Sequence, residues 1–274
     1  MTFGSRLHEA IQSRGRLCVG IDPHPALLDD WGLTDSAVGL ERFALSAVEA
    51  LAGAVSVVKP QSAFFERHGS AGIAVLEKVI EASRELGALV LLDVKRGDIG
   101  STAQAYADAY LLPSSPLSAD AVTVSPYLGI GSLDPLVDTA RLNDRGVFVL
   151  ALTSNPEGPQ FQHATTPDGR TVAATVLDAV ATLNAGADPW GSVGVVVGAT
   201  IEETTAELDV NGPILVPGYG AQGGTAADIR KVFGSAARHV LPSSSRAILA
   251  AGPDRRGLHE AALRAAEDLT DLDR

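Results

Sequence analysis

The sequence predicts an α/β protein whose strands close into a (β/α)8 barrel, with one helix ahead of the first strand. Three observations carry that prediction. Short runs rich in Val, Ile and Leu recur along the 274 residues, each is followed by a longer Ala-rich stretch with helical spacing, and the alternation is read eight times. Continuous apolar strands covered on both faces close most naturally into a barrel, and the typical barrel of roughly 250 residues fits this length. An open doubly wound sheet is the alternative, less favoured at this strand count.

The opening segment, 3–14, is polar and amphipathic and is expected as a helix. Strands are expected at 17–22, 55–59, 88–94, 121–124, 146–152, 192–197, 213–216 and 237–241. Helices are expected between them at 37–52, 71–86, 101–111, 132–143, 171–184, 200–209 and 226–233, with 257–269 closing the chain. The Pro/Gly/Ser-rich stretches 113–118 and 155–169 read as loop insertions, the second of them long enough for a lid. No composition shift marks a second domain, so residues 1–274 are read as one barrel domain.

Composition narrows the function classes. With 46% hydrophobic residues the chain can build a sizeable core. Its 21 Lys and Arg stand against 33 Asp and Glu, for a formal charge of −12, and no basic cluster is long enough to track a phosphate backbone. Nucleic acid is therefore not an expected partner. The first eleven residues lack an apolar signal-like core, and no run approaches the roughly 18 apolar residues of a membrane helix, so a soluble cytoplasmic protein is expected. Cys18 is the only cysteine, which excludes an intrachain disulfide and a cysteine metal site. His8, His24, His68, His163, His239 and His259 show no paired-ligand spacing, and no metal site is expected.

A barrel presents its chemistry at the C-terminal ends of its strands. The polar residues there are the candidates: Asp22, Lys59, Asp93, Lys95, Asp98, Ser125, Thr153, Ser154, the loop from Pro217 to Gly224, and Arg246. The segment from Val90 to Thr102 is the densest, because an apolar run ends in Asp93-Val94-Lys95 and then turns through Gly97-Asp98. Asp93 and Lys95 are two apart, so on a strand their side chains leave on one face. Lys59 ends the neighbouring apolar strand and points toward them. A structural ion pair or a lysine snorkelling at the rim is the plainer reading of each charge alone; their convergence favours a functional array. The Gly-rich loop Pro217-Gly218-Tyr219-Gly220-Ala221-Gln222-Gly223-Gly224 leads into a helix after the seventh strand, where barrels often hold phosphate. Arg246, after the eighth strand, offers a fork-shaped donor to the same group. The loop lacks the Gly-Lys-Ser/Thr of a nucleotide-triphosphate motif, and neither Ser125 nor Ser154 sits in a Gly-x-Ser-x-Gly elbow.

On these residues, and above all on Leu92-Asp93-Val94-Lys95-Arg96-Gly97-Asp98-Ile99-Gly100-Ser101-Thr102, the chain resembles the orotidine 5'-monophosphate decarboxylase family along nearly its whole length. The resemblance implies a (β/α)8 barrel acting as a homodimer, converting orotidine 5'-monophosphate to UMP with neither metal nor organic cofactor. It implies that Lys59, Asp93, Lys95 and Asp98 form an alternating charged network, with Asp98 and Thr102 reaching the partner subunit's site. It further implies ribose contact by Asp22, pyrimidine contact by Ser154 or its neighbour Thr153, and a phosphate grip from Pro217, Gln222, Gly223, Gly224 and Arg246. The segments 23–35 and 155 onward are longer than in the family's compact members. Two other readings stand beside this one: a magnesium-dependent decarboxylase of a sugar phosphate on a related barrel, against which Lys59 argues, and a non-catalytic nucleotide-binding barrel.

Overall fold

The computed structural model describes residues 1–201, 204, 206–220 and 224–273. Eight parallel strands pair in sequence order and close on themselves: β1 (Cys18–Ile21), β2 (Val57–Pro60), β3 (Leu89–Arg96), β4 (Ala121–Val124), β5 (Gly146–Leu152), β6 (Val193–Val197), β7 (Ile214–Pro217) and β8 (Val240–Ser244). The helices are α1 (Phe3–Arg14), α2 (Pro25–Asp30), α3 (Ala37–Leu51), α4 (Ser62–Glu66), α5 (Gly69–Glu85), α6 (Gly100–Leu111), α7 (Asp134–Leu142), α8 (Pro159–Gln162), α9 (Val172–Leu183), α10 (Ala226–Phe233), α11 (Arg246–Leu249) and α12 (Arg255–Leu269).

Alternation along the strands makes two cores. Outward residues such as Val58, Val90, Leu92, Val122 and Val147 pack beneath the helices. Inward residues Cys18, Val57, Leu91, Ala121, Phe148, Leu215 and Leu241 fill the barrel, and Phe3, Leu7 and Ile11 of α1 plug its lower end. Cys18 is fully buried and its thiol is pushed up to about 12 by that burial, so it packs as a small hydrophobe. Thr2 caps α1 by accepting the Ser5 N–H. Arg6 then ties the helix to the barrel through Asp120, which also takes Arg145, each at 2.8 Å.

One period of the alternation above the inner core decides where the chemistry sits. Two residues beyond Val57, Leu91 and Ala121 come Lys59, Asp93 and Thr123, all buried. The next layer of the barrel is therefore polar.

Several expectations need correction. The segment 200–209 is not helical among its described residues. Thr204 and Glu207 turn their side chains onto the backbone N–H of Ala206 and Asp209, which competes with helix bonding. The eighth strand lies three residues later than expected, because 234–239 winds as a 3-10 helix. His239 ends that turn rather than sitting in the strand. The Pro-Ser-Ser stretch reads as loop by composition, yet it is drawn into the sheet because β8 must pair with β1 to close the barrel, Cys18 with Ser243 and Val19 with Ser244. The insertions near 23–35 and 155–169 each fold a short helix, α2 and α8. No helix among the described residues is long and apolar enough to cross a membrane.

Candidate active site

β2 and β3 lie side by side, and their last inward residues meet. Lys59 Nζ is 3.0 Å from Asp93 Oδ2, and Lys95 Nζ is 2.5 Å from Asp93 Oδ1. The two lysines are not equivalent. Lys59 is buried, whereas the Lys95 side chain is 45% exposed and opens into the mouth. Burial pushes the Asp93 carboxyl upward, but Lys59 and Lys95 outweigh it and hold the group well below the usual carboxylate range. Burial likewise works against the Lys59 charge, and Asp93 with Asp22 reverses it, raising the ammonium above its ordinary value. The site thus contains a permanent carboxylate clasped by two cations.

The way Asp93 and Lys95 converge differs from simple strand alternation. Lys95 has φ +43, a left-handed conformation rare outside glycine, and the β3–β4 register shifts between Leu92 and Arg96. A bulge, not a straight strand, delivers the pair. Its backbone groups are satisfied by side chains: Thr123 Oγ1 accepts from the N–H of both Val94 and Lys95 at 3.0 Å, and Arg96 donates to the Val94 carbonyl at 3.0 Å. The Thr123 hydroxyl in turn donates to Asp93 Oδ1 at 2.8 Å. The polar residue expected to matter here is Ser125, just after this strand; Thr123, within it, is not among the residues expected from the sequence. Counting by twos from Ala121 would have placed it in the barrel interior at the level of Lys59. Just beyond the bulge, a Cβ on Gly97 would lie 2.5 Å from the Ser125 carbonyl, so this crossing needs glycine.

A cavity of about 270 Å³ opens over the array, lined by Lys59, Asp93, Lys95, Thr123, Thr153, Ser154 and Pro217 among others. Thr153 and Ser154 both reach it, but differently. The Thr153 hydroxyl donates to Asn155 at 2.6 Å and accepts from Gln162 at 2.7 Å, while its N–H donates to Gln162 at 2.9 Å. Ser154 lines the cavity and takes no part in that clamp. Asp22 sits beside the same charges, and its Oδ1 is buried with no hydrogen-bond partner among the described residues. A ligand hydroxyl would satisfy it.

Other candidates are less tightly joined to the array. Gly224 lies at the base of the Gly-rich loop, where Gly220 donates its N–H to the Gly224 carbonyl at 2.9 Å; it lines a neighbouring groove with Ser244. Gln222 and Gly223 lie outside the described residues. At the start of the helix after this loop, Thr225 and Asp228 form a capping box that takes up the N–H groups of these two residues and leaves those of Ala226 and Ala227 to the groove. An anion held here would meet loop backbone, the first amides of α10 and Arg246, an exposed residue opening α11. Asp98 does not touch the lysines of its own chain; it accepts the Ile99 N–H at 2.8 Å, and Thr102 is exposed on α6.

Fold and site together define an enzyme of the (β/α)8 class, with a Lys-Asp-Lys array at the mouth where such barrels act. Residues 15–261 match the model of the orotidine 5'-phosphate decarboxylase / HUMPS family, and the chain belongs to that family. A relative named orotidine 5'-phosphate decarboxylase, from Nocardioides sp., is 68% identical over 250 residues, covering 90% of this chain and 91% of the other. A crystal structure from Streptomyces avermitilis superposes with a TM-score of 0.97 at 58% identity, over 99% of this chain and 95% of that one. The Leishmania donovani OMP decarboxylase is more distant, with a TM-score of 0.77 and 31% identity over 99% of both chains.

Proposed function

We propose that this chain, as one barrel domain, is a carboxy-lyase that converts orotidine 5'-monophosphate to UMP, closing de novo pyrimidine nucleotide synthesis in the cytoplasm. The observation that carries the reading is Lys95, half exposed into the cavity and held by Asp93, which Lys59 clasps from below. Breaking the bond from C6 to the carboxylate leaves both electrons on C6 as carbon dioxide departs. That carbanion has no good resonance sink, so catalysis must favour negative charge at C6 more than it favours the substrate. A fixed ammonium does this, and it then gives one proton to C6, becoming a neutral amine that solvent reprotonates to the ammonium. Carbon, charge and protons balance without a metal or organic cofactor. Among the described residues no group of three or more His, Cys, Asp and Glu could hold a metal ion, and a lysine stands on β2 where a magnesium site would want a carboxylate.

The remaining roles follow the same reading. Ser154 takes the pyrimidine edge because Thr153 is already engaged, and Asp22 takes ribose hydroxyls. Arg246, Gly224 and Pro217, with Gln222 and Gly223, take the phosphate. Asp98 and Thr102 serve a partner subunit's site, since Asp98 is left without a lysine in its own chain. Ile99, Tyr127 and Leu128 on loops, and Phe161 on α8, are large apolar residues exposed around the same mouth, suited to burial against a second copy. The test is to mix purified protein with orotidine 5'-monophosphate and EDTA and follow ultraviolet absorbance. Steady conversion to UMP is expected, with Lys95→Ala slower by at least about 10⁴-fold while the fold is retained. Wild-type protein that leaves the orotate absorbance unchanged, or Lys95→Ala turning over normally, sinks the reading.

A further inference from the structure

We propose that Thr123 is a positioning residue for this reaction, its single hydroxyl holding the bulge that aims Asp93 and Lys95 into the cavity; the role in catalysis rests on the function just proposed. Three residues of β3, Asp93 to Lys95, oppose Thr123 alone on β4, because Leu92 pairs with Val122 and Arg96 with Val124. A backbone ladder cannot serve an excess of that kind. The Thr123 side chain serves it instead, accepting both unpaired amides, Val94 and Lys95, at 3.0 Å.

Those two bonds determine the rest. A hydroxyl has two acceptor sites and one proton. With both acceptor sites taken by N–H groups, the proton has one remaining direction, toward Asp93 Oδ1 at 2.8 Å. Thr123 therefore acts on the site in two ways at once. It keeps Lys95 in its left-handed conformation, φ +43, and it presents a donor that only an accepting Asp93 oxygen can satisfy. The same Oδ1 receives Lys95 Nζ at 2.5 Å, so the hydroxyl, the carboxylate and the ammonium share one oxygen. Thr123 is only 1% exposed, at the floor of the cavity, so solvent has little access to the two amides it holds. Its effect on C6 would pass through Lys95 and Asp93, which marks it as a positioning group rather than a catalytic one.

Thr123→Val preserves shape and removes the hydroxyl; Thr123→Ser preserves the hydroxyl. We expect Thr123→Val to lower kcat by roughly 100-fold, the usual consequence of a reacting group displaced by about 1 Å. The Kd for UMP should stay within about threefold of wild type, because ribose and phosphate contacts lie elsewhere. Thr123→Ser should recover most of kcat. A second readout needs no turnover: hydrogen exchange at the Val94 and Lys95 amides should accelerate in Thr123→Val and return to normal in Thr123→Ser, with the rest of the barrel protected. Thr123→Ala makes the same comparison if the valine variant does not fold. Normal kcat in Thr123→Val, a serine variant as impaired as the valine, or unchanged exchange at both amides overturns the proposal. Wild-type protein inactive on orotidine 5'-monophosphate overturns the functional reading instead, and the exchange comparison still decides whether Thr123 holds the bulge.

Discussion

Asp93 is buried and ionised, two conditions that normally exclude each other. Lys59 and Lys95 reconcile them, and the consequence is a specific dependence of stability on pH. A carboxyl held below its ordinary value of about 3.9 binds fewer protons folded than unfolded near that pH. Its contribution is therefore present above about pH 4 and is lost as pH falls through the lower folded value. Lys59 has the opposite sign: with its pKa raised, its contribution is present below about 10.4 and is lost as pH rises toward the folded value. Urea unfolding of wild type between pH 7 and 3 should show stability falling at the acid end. Asp93→Asn should flatten that limb and also lower stability at pH 7 by about 3–5 kcal/mol, because Lys59 is left buried without its carboxylate. An unchanged acid limb would mean that Asp93 does not carry the linkage. Residue types and spacing made Lys59, Asp93 and Lys95 legible before any fold was known. Thr123 was not legible in that way, because a threonine in an apolar strand acquires a role only when the adjacent strand bulges against it.

At the scale of elements, α1 shows how a sequence-local helix becomes structural. Its periodicity is readable, but its place beneath the barrel depends on one absent side chain. A Cβ on Gly146, the first residue of β5, would come within 2.3 Å of the Phe3 ring, which packs edge-on against Phe148 at 6.1 Å. Gly146→Ala should therefore displace Phe3 and destabilise the protein by about 1–3 kcal/mol through overpacking. Thermal unfolding checks this, and the pairing Gly146→Ala with Phe3→Leu should relieve part of the loss if the ring is the obstacle. Strands β4 and β5 and helix α1 match the expected bounds because their apolar runs end abruptly in polar or Gly residues. β8 and the stretch 200–209 did not. In the first, barrel closure recruits a Pro-Ser-Ser stretch that local propensity assigns to loop. In the second, Thr204 and Glu207 bond to backbone that a helix would have used.

For the whole molecule, the question is whether one chain completes a site. The array at the mouth is internal to the chain, yet Asp98 points no charge at it, and the apolar residues Ile99 and Tyr127 are exposed at 63% and 74% on the same face. Two copies meeting mouth to mouth would bury that surface and bring each Asp98 to the other's lysines. Lys95→Ala and Asp98→Ala proteins should each be nearly inactive. Mixed and re-equilibrated in equal amounts, they should regain about a quarter of wild-type sites, because each mixed pair rebuilds one intact site. No recovery, with exchange of subunits verified, would place Asp98 outside the partner's site.

By itself the sequence determined the barrel and the chemistry-bearing side chains, because both are written in local periodicity: apolar runs of strand length, helical Ala-rich stretches, and charges at the ends of strands that otherwise exclude them. Tertiary structure alone decided how those charges meet. The bulge in β3, the hydroxyl that supports it and the capture of Ser243 and Ser244 into the sheet all arise from closing eight strands into a ring. Closure forces each strand to accommodate neighbours on both edges, and that demand appears in no single stretch of the chain.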